Sequence, residues 1–100
     1  MNFLSYIALS QSYFYNSEFD AAAELAQSAI DSNPRFSVPQ ALLAAALTRL
    51  GRASEAKAAA QRVLALQPGF TIGGFAKTVA IAADVYARFA TAWRDVGLPD

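Results

Sequence analysis

Three groups of residues in this chain have the types and spacing from which chemistry can be built. Glu18, Asp20 and Glu24 place three carboxylates close together, which is raw material for an all-oxygen cation site. They also stand at the start of a helical pattern, where acids are expected for their interaction with the helix dipole alone. Gly69-x-x-x-Gly73-Gly74 has the glycine density of a phosphate loop, but it lacks the Gly-Lys-Ser/Thr ending and reads as a weakened helix start. Tyr13-Phe14-Tyr15 could stack on bases. No basic residue interleaves the run, so it reads as packing. The chain has no histidine and no cysteine. That removes the commonest general base and zinc or haem ligand, together with thiolate and disulfide chemistry. A hydrolytic triad would have no base. We expect no catalytic, metal or cofactor site, and read the chain as a non-enzyme.

Composition turns attention from chemistry to surface. Hydrophobic residues make up 55% of the 100 residues and mean hydropathy is +0.25. Small domains bury a lower fraction of their surface than large ones, so part of this apolar surface is expected to meet a partner. Formal net charge is zero, which gives no global pull toward nucleic acid or anionic lipid. The charges are nevertheless segregated. Residues 1–34 carry Glu18, Asp20, Glu24 and Asp31 and no base, whereas residues 35–80 carry Arg35, Arg49, Arg52, Lys57, Arg62 and Lys77 against Glu55 alone. Head-to-tail or antiparallel pairing of two copies would bring opposite signs together. Residues 1–17 are uncharged but open with no Lys or Arg, unlike a signal peptide. No run of 18 apolar residues occurs, so no membrane span is expected. The chain is read as soluble and cytoplasmic.

The elements that position these residues are helices, and they repeat. Asn33-Pro34-Arg35-Phe36 returns 34 residues on as Gln67-Pro68-Gly69-Phe70, and the same offset pairs Leu9 with Leu43, Ala22 with Ala56, Ala26 with Ala60 and Ile30 with Leu64. A fixed period of this size signals stacked supersecondary units. Helical periodicity runs throughout, with no strand alternation. A first helix with apolar residues on more than one face ends at Asn16-Ser17, and a second spans about Phe19–Ser32. Ser37 is the expected N-cap of a third, closed by a left-handed Gly51. A fourth runs from about Ser54 to Leu66. Thr71 is expected to cap a fifth helix that ends near Ile81–Ala83. A sixth continues to Val96 and stops at Gly97-Leu98-Pro99, and helices five and six could form one rod. Small residues at Ser10, Ala22, Ala29, Ala44 and Ala56 are expected to let paired helices approach closely. Leu9, Tyr13, Ile30, Leu43, Leu47 and Leu64 are expected to fill the seam.

These residues resemble the tetratricopeptide repeat, whose pattern has an aromatic, Leu-Gly and Tyr on helix A, then Ala, an aromatic four later and a closing Pro. The first unit reads Tyr6-x-x-Leu9-Ser10-x-x-Tyr13, Ala22-x-x-x-Ala26, Pro34; the second reads Gln40-x-x-Leu43-Ala44-x-x-Leu47, Ala56-x-x-x-Ala60, Pro68. Ala26 and Ala60 stand where the family prefers an aromatic, and Ser10 and Ala44 replace its glycine. The resemblance implies an all-α right-handed superhelix of helical hairpins. One domain over 1–100 would hold a repeat at 3–34, another at 37–68 and a degenerate third unit with a cap at 71–96. Gly74 and Lys77 replace the third unit's aromatic and leucine, and Val85, Phe89, Trp93 and Val96 form the cap's apolar stripe. The ending from Pro68-Gly69-Phe70-Thr71 to Arg94–Asp100 is similar to tetratricopeptide tails of bacterial proteins that carry a class III adenylate cyclase or winged-helix domain. That likeness implies a regulatory signalling fragment as an alternative function.

By the family's geometry the functional surface is the concave face lined by A helices. The resemblance places Leu4, Ile7, Gln11, Phe14 and Tyr15 of the first unit there, with Val38, Ala41, Ala45, Thr48 and Arg49 of the second. Relatives that clamp a C-terminal carboxylate use Lys and Asn in this lining, and Ile7, Gln11 and Phe14 occupy the comparable places. An apolar groove suits an amphipathic helix or apolar peptide; the alternative occupants are the chain's own sixth helix or a second protomer. The expected partner is a protein or peptide, with no nucleic acid and no membrane. The apolar upstream face of Phe3, Leu4 and Ile7 implies either a homodimer or missing upstream repeats.

Overall fold

Chain reversals recur at matched places and cut the sequence into helices. The structure, a computed structural model, describes residues 2–78 and 83–100. It contains α1 (Phe3–Tyr15), α2 (Phe19–Ser32), α3 (Ser37–Arg49), α4 (Ala53–Leu66), α5 (Ile72–Thr78) and α6 (Ala83–Asp95), with no strand among the described residues. The expected end of the fifth helix and its possible continuity with the sixth fall on residues outside those described.

Two kinds of turn build the repeat. Within each hairpin the A helix ends in a left-handed residue, Ser17 (φ 63°) after α1 and Gly51 (φ 77°) after α3. At both, the left-handed residue's N–H bonds three residues back, Ser17 to the Phe14 carbonyl and Gly51 to the Thr48 carbonyl. The next N–H reaches one residue deeper, Glu18 to Tyr13 and Arg52 to Leu47, which satisfies the carbonyls that a helix end leaves open. Gly97 (φ 94°) closes α6 the same way, with Leu98 folded back and buried. Between hairpins the residue preceding proline is pushed out of the helical region. Asn33 (φ −151°, ψ 84°) and Gln67 (φ −140°, ψ 82°) are therefore near-superimposable C-caps, and Phe36 and Phe70 close equivalent turns onto them. Pro34 and Pro68 occupy like places in the architecture.

Capping departs from expectation at one site. Ser37 is the first residue of α3, and its N-cap is Phe36, which supplies no side-chain bond. The Ser37 hydroxyl instead donates to Gln67 Oε1 at 2.6 Å, tying the start of the second hairpin to its end. Thr71 does cap α5, accepting from the Gly74 N–H at 2.9 Å. Asn2 caps α1 through the Ser5 N–H.

α1 packs along α2, and α3 along α4, while α2 also packs against α3. The small residues at Ser10, Ala22, Ala29, Ala44 and Ala56 are all buried, so the backbones approach closely. The buried Ser10 hydroxyl donates to the Ala22 carbonyl at 2.8 Å. Leu9 does not fill a seam. It is 36% exposed where Leu43, its equivalent, is 6% exposed. The reason lies in the neighbours: Leu43 and Leu47 sit between α2 and α4, and no described element covers the corresponding side of α1.

α6 folds back over α3 and reaches the end of α1. Its stripe of Val85, Phe89, Trp93 and Val96 turns inward, with Phe89 and Trp93 fully buried. The Phe14 and Phe89 rings stack at 4.1 Å, Phe89 and Trp93 stack at 5.2 Å, and Trp93 meets Phe75 edge-on at 4.7 Å. Aromatic pairs of this kind contribute about 0.5–1.5 kcal/mol each beyond the area they bury. The tail then pins α5, whose Ile72 N–H donates to the Pro99 carbonyl at 2.9 Å.

Candidate protein-interaction face

The A-helix face is built by α1 and α3, with α6 laid across part of it. Of the residues assigned to it from sequence, Leu4 is 71% exposed and Ile7 and Gln11 are half-buried along the first three turns of α1. Phe14 is buried beneath Phe89. Tyr15 is exposed at the helix end. On α3, Val38 and Thr48 are half-buried and Arg49 is exposed, while Ala41 and Ala45 are wholly buried. Thr48 turns its hydroxyl onto the Ala44 carbonyl at 2.7 Å. Phe14, Ala41 and Ala45 are therefore inside the molecule here, and the open part of the face is its α1 end.

Several of these residues are joined by contacts from α6. The Trp93 indole N–H donates to the Ala41 carbonyl at 2.8 Å. The Tyr15 hydroxyl donates to Asp84 Oδ2 at 2.7 Å, and Arg88 donates to the Tyr15 carbonyl at 3.3 Å. The Arg88 guanidinium also lies 4.9 Å from the Tyr15 ring centroid, a cation–π arrangement. The hydrogen bond to Asp84 raises the Tyr15 phenol above its ordinary pKa, and the same bond holds the Asp84 carboxyl below its ordinary range. Arg88, Arg49, Ser17, Phe14 and Phe19 line an open hollow of about 360 Å³ where α1, α2, α3 and α6 meet. Asp84 and Arg88 were not among the residues assigned from sequence. They lie outside the apolar stripe, and their contacts span 69 and 73 residues, a distance that helical periodicity does not register.

A second groove lies on the opposite, B-helix side. Ala23, Glu24 and Gln27 of α2 form one wall, and Leu43 and Leu47 of α3 form the floor. Arg52, Glu55, Ala58 and Arg62 of α4 form the other wall, enclosing about 450 Å³. Arg62 also reaches down to Gln40, donating through Nε at 3.1 Å, so the buried Gln40 amide is partnered.

Among the described residues, no cluster of three His, Cys, Asp or Glu is placed to hold a metal ion, and Glu18, Asp20 and Glu24 are exposed around the start of α2. No described helix is long and apolar enough to cross a membrane.

Comparison with known proteins agrees with this geometry. No curated protein matches the chain, so the likeness of its tail to cyclase-associated tails rests on the motif alone. A family model described as tetratricopeptide repeat matches residues 13–71, more than half of the chain. With paired helices in 34-residue register and equivalent turns at Pro34 and Pro68, the chain belongs to the tetratricopeptide repeat family.

Proposed function

We propose that this chain is a non-catalytic interaction module that takes a polypeptide on its A-helix face. Tetratricopeptide repeats generally mediate protein–protein interaction, and the observation that carries the reading here is the open α1 end of that face. Leu4, with Ile7 and Gln11 beside it, lies on a helix that has no charged residue. An accessible apolar strip flanked by an aromatic-filled hollow suits an amphipathic helix. α6 illustrates the chemistry such a helix would need, since it presents Phe89 and Trp93 one turn apart to Phe14 and Ala41. A partner would engage the section that α6 leaves open.

A display library of helical peptides, selected on the immobilised chain, tests the proposal. Enriched peptides should carry aromatic or aliphatic residues at helical spacing and lose binding to Leu4→Asp and Ile7→Asp variants. Failure to enrich any peptide, or equal binding to both variants, would remove the groove from consideration.

A further inference from the structure

We propose that the outer side of α1 docks α4 of a second copy of this chain, so that copies stack head to tail. This face is distinct from the A-helix groove, and the inference stands whether or not that groove binds a peptide.

The chain carries its own template for the contact. α1 and α3 are equivalent helices 34 residues apart, yet Leu43 and Leu47 of α3 are 6% and 5% exposed while Leu9 is 36% exposed and Tyr13 only half-buried. What covers that side of α3 is α2, the B helix of the preceding hairpin. The matching side of α1 therefore calls for a B helix. α4 is the B helix with an outer side to offer. It packs chiefly on α3, and the end of α6 (Asp95, Val96) reaches only its first turns, beside Ala53, Ala56 and Lys57. Its Leu64 is half-buried where the equivalent Ile30 is buried.

Shifting the groove between α2 and α4 by one repeat gives the register. In that groove Ala23 and Gln27 face Leu43 and Leu47, with α4 alongside. The shifted contact places Lys57 and Gln61 of one copy over Leu9 and Tyr13 of the next, alongside its α2. The α2 positions equivalent to Arg52 and Ala58 are Glu18 and Glu24. Lys57 thus arrives beside two carboxylates, and all three side chains are exposed and in no ion pair among the described residues. The uncharged surface of α1 removes any like-charge penalty from the centre of the contact. The acidic first half of the chain meets the basic second half, so the charge segregation becomes a stacking code. The contact is heterologous and does not close on itself, so association continues beyond a dimer.

Sedimentation velocity of the full chain over a wide concentration range reads this directly. The weight-average sedimentation coefficient should climb without a dimer plateau and fall as salt is added. Leu9→Arg blocks the head and Lys57→Glu blocks the tail. Both positions are exposed, and unchanged circular dichroism shows that each variant folds. Each alone should weaken association by about tenfold or more. Mixed, they should form a one-to-one heterodimer and nothing larger, because each retains the end the other lacks. A wild-type chain monomeric at every concentration overturns the proposal and gives the α1 face to another partner. Association abolished by Leu9→Arg but untouched by Lys57→Glu also overturns it, in favour of a two-fold α1–α1 pair. So does a mixture that stays monomeric.

Discussion

The Trp93 indole N–H meets the Ala41 carbonyl at 2.8 Å across 52 residues of chain, both residues wholly buried. This bond fixes the rotation of α6 on α3. The ring itself stacks on Phe89 and meets Phe70 and Phe75 edge-on.

Trp93→Ala should therefore cost about 3–5 kcal/mol, as truncation of a buried aromatic does. Trp93→Phe retains much of the ring packing and should cost less. Urea melts of both variants check this ordering. Equal and small losses would show that α6 is not part of the core.

Ser17 and Gly51 offer a matched pair for backbone strain. Both hold left-handed φ values at the same point of their hairpins, a region that penalises a Cβ by roughly 1–2 kcal/mol. Ser17→Gly should stabilise the protein by up to about 1 kcal/mol, and Gly51→Ala should destabilise it by about 1–2 kcal/mol. Nothing lies within 4 Å of a Cβ built at Gly51, so sterics do not confuse the second measurement. Opposite shifts in thermal midpoint are the expected result.

Close approach of paired helices is tested by enlargement. Ala22→Phe and Ala56→Phe insert a ring where each alanine is 1% exposed, and overpacking costs about 1–3 kcal/mol or more. Both should lower the melting temperature markedly. An unchanged melt for both would contradict the helix register.

The Tyr15–Asp84 bond predicts a pH window for the docking of the start of α6. Asp84 is depressed in the folded state, so its contribution is present above the ordinary carboxylate pKa of about 4 and is lost as pH falls through its lower folded value. Tyr15 is raised, so its contribution is complete below the ordinary phenol pKa of about 10 and is lost as pH rises through its higher folded value. Amide exchange, corrected for its intrinsic pH dependence, should show protection at the first turns of α6 dropping at both extremes. Tyr15→Phe should flatten both limbs, leaving protection near neutral pH as the comparison. The groups are exposed, so the effect will be local.

Much of the fold was legible because its determinants are local. The 34-residue offset, the prolines after Asn33 and Gln67, and Gly51 and Gly97 mark turns by residue type alone. Ser17 shows where that signal fades: the same left-handed turn forms without glycine and is recognised only by alignment with Gly51. Ser37 shows another limit, since its hydroxyl serves Gln67 across 30 residues rather than its own helix end. The A-helix lining was harder to read. Whether Phe14 and Ala41 face a partner or α6 depends on how the last helix folds back, and amphipathicity says that α6 has a buried side without saying on what. Leu9 and Leu43 are the same residue in the same register and differ only in having a neighbour.

The return of α6 onto the first helices also changes how the molecule should come apart. A linear array has contacts mainly between adjacent units, so it can fray from either end and melt in stages. Here Tyr15 is bonded to Asp84 and Phe14 is stacked on Phe89, so the opposite ends of the chain hold each other. Such long-range links raise contact order and slow folding. In exchange they make loss of either end felt throughout, and unfolding should occur as one cooperative event rather than repeat by repeat.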